Sequence, residues 1–338
     1  MKKITTIFLV MFFVVALYCE PQVLFDNGHA QTAGSANWTI NTGFSKFAHD
    51  IENLGYFVNS VNGPISSELL TDFNVLVIPE PNNPFSDFEI AAMKKFVYNG
   101  GGLFLIADHY GADRNNNGWD AVKIFNNFIK IFGFEFNKSS YSEHPINNKR
   151  VECSVMQGVN SVGAWGGTDI NILDDKRAMG LICYSDSKGA NPFVVVATYG
   201  KGRIAAIGDS SPIDDGTMAD DRLYNNYDDF DDRQMAINLF KWCAKMIGND
   251  LPIISQGNSN NSSHDDNNSS NNSNSDLVNI NTATKEELVA LPGIGDYTAN
   301  LIIRYRNTHG PFTSIEQILE IPGIDVHNYK YYKDLITI

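Results

Sequence analysis

The sequence predicts an α/β domain, built on a mostly parallel sheet flanked by helices, followed by a small all-α domain. Three observations carry this expectation. Apolar strand-like runs alternate with helix-spaced segments over residues 22–250. A tract of Asn, Ser and Asp, "QGNSNNSSHDDNNSSNNSNS" at 256–275, then breaks the pattern. Beyond it, the turn "LPGIG" at 291–295 returns as "IPGID" at 321–325, each time between two amphipathic segments.

The first 21 residues stand apart from the fold. Lys2 and Lys3, an apolar run and a polar break give "MKKITTIFLVMFFVVALYCEPQ" the layout of a secretory signal. Cys19 stands where a lipoprotein signal is cut, with Tyr18 bulky where a small residue is usual. Lipid attachment to a membrane through Cys19 and simple cleavage both stay open, and either places the protein outside the cytoplasm. Cys153, Cys183 and Cys243 remain, without the short paired spacings of a zinc knuckle.

Within 22–250 the elements read in order. "QVLFD" is a strand stopped by "NGH", and "FSKFAHDIENLGY" has helical spacing and ends near Gly55. "FNVLVIPEP" is a buried strand ended by prolines. "SDFEIAAMKKFVYNGGG" opens on Ser86 as a helix cap and closes on glycines. "LFLIAD" is a further strand and "WDAVKIFNNFIKIFG" a further helix. "PFVVVATYG" and "GRIAAIGDSS" form a late strand pair, and "RQMAINLFKWCAKMI" a closing helix. In this order, "NVLVIPEP", "FVYNGGGLFLIADH" and "YGKGRIAAIGD" resemble the class I glutamine amidotransferase-like fold. Amidotransferases of that fold place a Cys on the turn after a strand, where this chain has "ADHYGAD". Glutaminase chemistry is therefore not expected.

Polar residues collect where strands end. Asp26 and His29 follow the first strand, Asp108 and His109 follow "LFLI", and Asp209 follows "IAAIG" beside Ser210 and Ser211. Ligands of open α/β sheets bind beyond the carboxyl ends of the strands. Asp26, His29, Asp108, His109 and Asp209 are thus the candidate catalytic set, able to hold a metal or to act as acid and base. The first three are expected in one pocket; the alternative is loop residues that cap helices. In "DRNNNGWD", Asp113, Asn115, Asn117 and Gly118 fit the start of a calcium loop, and the Trp119 carbonyl follows. Ile124 stands where the bidentate acid belongs, so Asp120 would have to substitute for it. Calcium or another divalent metal is the cofactor implied, against an Asn-rich turn held by its own hydrogen bonds. The acidic run "DDGTMADDRLYNNYDDFDD" reads as a solvated surface loop, with calcium binding as the alternative.

Residues 251–275 are the linker: Asn and Ser bury too little apolar surface to offset the entropy of ordering. His264 reads as a solvated linker residue. In 276–338, Thr284 with Glu287 and Thr313 with Glu316 have capping-box spacing. Leu288, Leu291, Ile294, Leu301 and Ile302 of the first half, and Ile315, Ile318, Leu319, Ile321, Ile324 and Tyr329 of the second, are expected in one shared core of four helices. "VNINTATKEELVALPGIG", "GPFTSIEQILEIPGI" and the closing "ITI" resemble the tandem helix-hairpin-helix domain of the competence DNA-receptor (ComEA-like) family. The resemblance implies a glycine turn that grips a DNA phosphate and reads no base. The physics agrees: glycine lets backbone approach closely, and the following helix aims free N–H groups at the anion. Gly293, Ile294 and Gly295, aided by Arg304 or Arg306, are the candidate contacts. Asp325 replaces the second glycine in "IPGID", which reads as structural.

Charge limits the strength of such binding. The chain carries a formal net charge of −14, which excludes a protein that holds nucleic acid by global charge. The expected function is sequence-independent DNA binding outside the cytoplasm, in DNA uptake or capture. A metal-dependent hydrolase or nuclease, and a protein- or sugar-binding scaffold, are the alternatives.

Overall fold

The computed structural model describes residues 20–217, 224–251 and 277–338, except 290, 292, 293, 295, 322–328, 330 and 331. The signal region with Cys19, and the whole Asn/Ser tract with His264, lie outside the described residues. Among the described residues no helix is long and apolar enough to cross a membrane.

The α/β unit is organised by an eight-stranded sheet. Its strands are β1 (Gln22–Asp26), β2 (Phe57–Val61), β3 (Val75–Pro79), β4 (Gly102–Ile106), β7 (Asn148–Lys149), β10 (Ala178–Cys183), β11 (Pro192–Tyr199) and β12 (Gly202–Ile207). They lie in the order β2-β1-β3-β4-β12-β11-β10-β7. The pairings from β2 to β12 are parallel, and those from β12 to β7 antiparallel. The carboxyl ends of β1, β3, β4 and β12 therefore share one edge. The short strands β5 (Phe134–Phe136) and β9 (Ile170–Ile172) pair apart from this sheet, as do β6 (Tyr141–Ile146) and β8 (Val162–Gly167).

Apolar runs of β-branched and aromatic residues make the central strands because both faces are covered. Along β4, Leu103 and Leu105 enter one core with Leu76 and Ile78, while Phe104 and Ile106 enter the other with Val75 and Val77. Helices α1 (Ser45–Asn53) and α4 (Asp232–Cys243) cover the second face, through Phe47, Ile51, Leu239 and Phe240. Helices α2 (Asp87–Tyr98) and α3 (Ala121–Asn126) cover the first, through Met93, Val97 and Phe125. Ser86 caps α2 in a full capping box with Glu89, as the sequence predicts.

One expected helix is broken. The pattern over 119–133 yields α3 and then a separate 3₁₀ turn, Ile129–Phe132. Asn126 is the reason: its amide donates to the Phe136 carbonyl at 2.8 Å and its oxygen accepts from the Phe136 N–H at 2.9 Å. That pair ties the helix end to β5. Gly133, with φ of 90°, then stops the 3₁₀ turn.

The C-terminal unit has its own core of Ile280, Leu288, Leu291, Ile294, Ala299, Ile302, Phe312, Ile318, Ile321 and Tyr329, among others. It contains α5 (Lys285–Val289) and α6 (Asp296–His309). Its β13 (Val278–Asn279) and β14 (Ile336–Thr337) pair in parallel. Thr284 and Glu287 form the expected capping box: the Glu287 carboxylate accepts from the Thr284 N–H at 2.8 Å and Thr284 Oγ1 from the Glu287 N–H at 3.2 Å. The second box does not form with Glu316. Gln317 Oε1 takes the Thr313 N–H at 2.8 Å instead, and Ile315–Glu320 is a 3₁₀ helix. The helix starts one residue later than expected, with Ser314 at the cap position, so Gln317 rather than Glu316 is the third residue after it.

Candidate functional site

The carboxyl edge of the sheet carries two buried polar clusters rather than one pocket. The first is built on His29, which is 7% exposed. Its Nδ1 lies 2.9 Å from Asp26 Oδ1, and its Nε2 lies 3.1 Å from Glu89 Oε1. Gln31 donates to Asp26 Oδ2 at 2.8 Å, and the Phe85 ring covers the imidazole with centroids 4.1 Å apart. Burial opposes a charge on His29, but Asp26 and Glu89 outweigh it and raise its pKa. With both ring nitrogens held by carboxylates, His29 has no free nitrogen with which to accept a substrate proton. It fastens the β1 loop to the first turn of α2.

The second cluster joins the ends of β3, β4 and β12. Arg114 Nε donates to Glu80 Oε1 at 2.6 Å, and its Nη2 pairs with Asp108. The guanidinium also stacks on Trp38 at 4.5 Å and reaches Ser35 Oγ at 3.0 Å. Ser210 Oγ donates to Glu80 Oε2 at 3.0 Å. Asp209 accepts from the Trp165 and Ser211 N–H groups at 2.6 and 2.9 Å. Glu80 and Asp209 are fully buried and Asp108 nearly so. Burial raises the Glu80 pKa well above the carboxylate range, the Asp108 charge adds to this, and Arg114 opposes it. Burial and the Asp108 charge push Asp209 up to about 7. The Tyr184 hydroxyl is buried without a hydrogen-bond partner among the described residues. A Cβ built on Gly167 would meet that hydroxyl at 3.0 Å and the Asp209 Cβ at 2.7 Å, so the two groups face the same narrow gap.

Asn82 links the clusters. Its N–H donates to the His29 carbonyl at 2.8 Å, and its Oδ1 accepts from the Arg114 N–H at 3.2 Å. The expected set is therefore divided: Asp26 and His29 in one cluster, Asp108 and Asp209 in the other. The His109 ring joins neither, since its Nδ1 bonds the Tyr110 carbonyl at 3.1 Å, although its backbone N–H donates to Asp108 Oδ1 at 2.6 Å. Glu80, Glu89, Arg114 and Tyr184 escaped the sequence reading. The signal for Glu80 was present in "PEP", an acid held between prolines directly after a strand.

The expected calcium loop is knitted together by its own side chains. Asp113 accepts from the N–H groups of Asn117 at 3.0 Å and Gly118 at 2.7 Å. Asn115 and Asn117 donate to the Asn82 carbonyl at 3.1 and 2.9 Å, and the Trp119 N–H donates to Asn117 Oδ1 at 2.9 Å. Asp120 caps α3 through the Lys123 N–H at 2.9 Å. The oxygens of Asp113, Asn117 and Asp120 thus face backbone amides, while Asn115 Oδ1 is buried without a hydrogen-bond partner among the described residues. Among the described residues no group of three or more His, Cys, Asp or Glu side chains is arranged to hold a metal ion.

In the C-terminal unit, Gly293 and Gly295 lie outside the described residues. Ile294 between them is buried, anchoring the turn in the core. Arg306 donates to the carbonyls of Ile280 and Ala283, at 2.8 Å each, so its guanidinium is committed inside the unit. Arg304 is exposed, and its guanidinium has no partner among the described residues.

Residues 273–337 match the helix-hairpin-helix motif family. The same region is 45% identical over 62 residues to ComE operon protein 1 of Bacillus subtilis, covering 18% of this chain and 30% of that protein. An uncharacterized protein of Haemophilus influenzae is 44% identical over 63 residues, covering 18% of this chain and 56% of that one. The chain thus spans between about a third and just over half of these two relatives. The α/β unit is similar in fold to the mmIFT52 N-terminal domain, with a TM-score of 0.53 and 16% identity, covering 67% of this chain and 98% of that domain.

Proposed function

We propose that this protein binds DNA without regard to sequence, through its helix-hairpin-helix unit, and does so outside the cytoplasm in DNA capture or uptake. The observation that carries the reading is the motif match over 273–337, which contains "LPGIG" and the helix that follows it. The secretory layout of the first 21 residues supports the location. Gly293 and Gly295 let the backbone approach a phosphate, and the start of α6 supplies N–H donors. The α/β unit is then a glutamine amidotransferase-like scaffold without thioester chemistry. In support, Cys183 and Cys243 are buried, and burial pushes both thiols up, away from a reactive thiolate.

The full chain tests this by fluorescence anisotropy on unrelated duplexes over a salt series. Binding should be equal across sequences, with Kd about 10⁻⁴–10⁻⁶ M at physiological salt and weakening steadily as salt rises. Replacing Gly293 and Gly295 together by Val should weaken all duplexes alike. Unchanged affinity would make the turn structural only.

One observation favours a second reading, a hydrolase acting at the strand ends: Glu80, Asp108 and Asp209 meet there, with Asp209 titrating near neutrality. Incubating plasmid DNA with the full chain and Mg²⁺, Ca²⁺ or Zn²⁺ decides it for a nuclease; intact plasmid removes that form of it.

A further inference from the structure

The C-terminal unit carries a column of three stacked rings that phosphate binding does not use. Tyr305 stacks on Phe312 with centroids 5.1 Å apart and planes 10° apart, and His309 stacks on Tyr305 at 4.4 Å and 15°. The column runs from inside to outside: Phe312 is buried, Tyr305 half-buried and His309 exposed. Each ring is fixed. Asn281 holds both the N–H and the carbonyl of Phe312, at 2.7 and 3.0 Å. The Tyr305 hydroxyl donates to Glu320 at 2.7 Å. His309 Nδ1 lies 2.7 Å from Thr308 Oγ1. Among the described residues no further ring covers His309.

Arg304, five positions before His309 on the same helix, is exposed on a different face of α6 and is no part of this surface. A rigid, exposed aromatic face is the platform on which single-stranded nucleic acid stacks a base. The surroundings argue the same way. Residues 276–338 hold fewer basic than acidic side chains, so a stacked base would supply affinity that charge does not. α6 begins at the "LPGIG" turn and ends at His309. Its two ends are separated by roughly 20 Å, so one DNA molecule can reach both.

We propose that the outer face of His309 binds an unpaired nucleobase, so that the protein prefers DNA carrying a single-stranded extension over blunt duplex. This rests on the DNA-binding reading above and adds a substrate preference to it. The stacking of Tyr305 and His309 four residues apart also steadies the helix end, so the test must separate binding from stability.

The test is fluorescence anisotropy with the full chain on three probes: a blunt duplex, the same duplex with a short single-stranded extension, and the same extension built from abasic sites. The extension should tighten binding about tenfold, the worth of one stacked base, and the abasic extension should add nothing. His309→Ala should abolish the gain and leave blunt-duplex affinity unchanged, while His309→Phe should keep the gain. Circular dichroism of both variants checks folding. An extension that gives no gain, a gain that survives His309→Ala, or an equal gain from abasic DNA overturns the proposal. Loss of blunt-duplex binding alone, with the extension still bound, overturns the "LPGIG" phosphate site and leaves the His309 site standing.

Discussion

Replacing Arg114 by Leu tests whether the strand-end cluster is held by one cation. Arg114 compensates two carboxyl groups, Glu80 with a side chain 0% exposed and Asp108 with one 6% exposed, while its own is 17% exposed. Removing one partner of a buried ion pair costs about 3–5 kcal/mol, because the remaining charge is left uncompensated. Glu80 softens the loss, since burial and Asp108 already favour its protonated form. A deficit near the lower end, about 3 kcal/mol at pH 7, is therefore expected. The sign of the pH effect follows from linkage. Without Arg114, the folded-state pKa of Glu80 rises further above its unfolded value of about 4. Its contribution is then full below pH ~4 and lost as pH rises. The deficit of Arg114→Leu should shrink on going from pH 7 to pH 4.5, read as midpoint shifts in urea unfolding at both pH values. Adding Asp108→Asn should restore part of the stability at pH 7. A variant as stable as its parent at pH 7, or a deficit independent of pH, would refute the reasoning.

Asp232 accepts from the Gly163 N–H at 2.8 Å through Oδ1, while its Oδ2 is buried without a partner among the described residues. Burial pushes its pKa up to about 9, so its contribution is full below pH ~4 and falls as pH rises toward 9. Asp232→Asn should raise the melting temperature more at pH 8 than at pH 4; parallel pH profiles for parent and variant would count against this. Gly208 precedes Asp209, and a Cβ on it would stand 1.9 Å from the Thr168 carbonyl oxygen. Gly208→Ala should cost at least about 1–3 kcal/mol, because backbone must move on both sides, and a melting temperature within a degree of the parent would show that the site has slack.

The sequence made strands and caps legible where one local rule decides them. The strand "NVLVIP" and the Ser86 box were readable because burial on both faces and a capping pair leave short-range marks. The break after α3 was not, because the Asn126 bonds to Phe136 come from a contact ten residues away. Strand ends carrying acids were visible one by one, but their partition was not. Glu89 sits on a helix and Arg114 in a loop, and only the folded chain brings them to His29 and Asp108. In "DRNNNGWD" the same residue types serve metal ligation and turn formation equally well. What distinguishes the two is where the side chains point, and here they point at amides of the loop and at Asn82. Arg306 and Arg304 are equivalent on paper; the Ile280 and Ala283 carbonyls make them different.

The parallel pairing of Val278 with Ile336 and Asn279 with Thr337 places the entrance and the exit of the helical unit side by side. A chain that enters at β13 leaves at β14 almost where it came in, having turned through both hairpins between. A unit with adjacent ends can be hung from a tether at either side, or inserted into the loop of another protein, without being stretched. Joining the two ends through a short peptide and reopening the chain at Gly310, in the turn after α6, would yield a rearranged polypeptide with the same core.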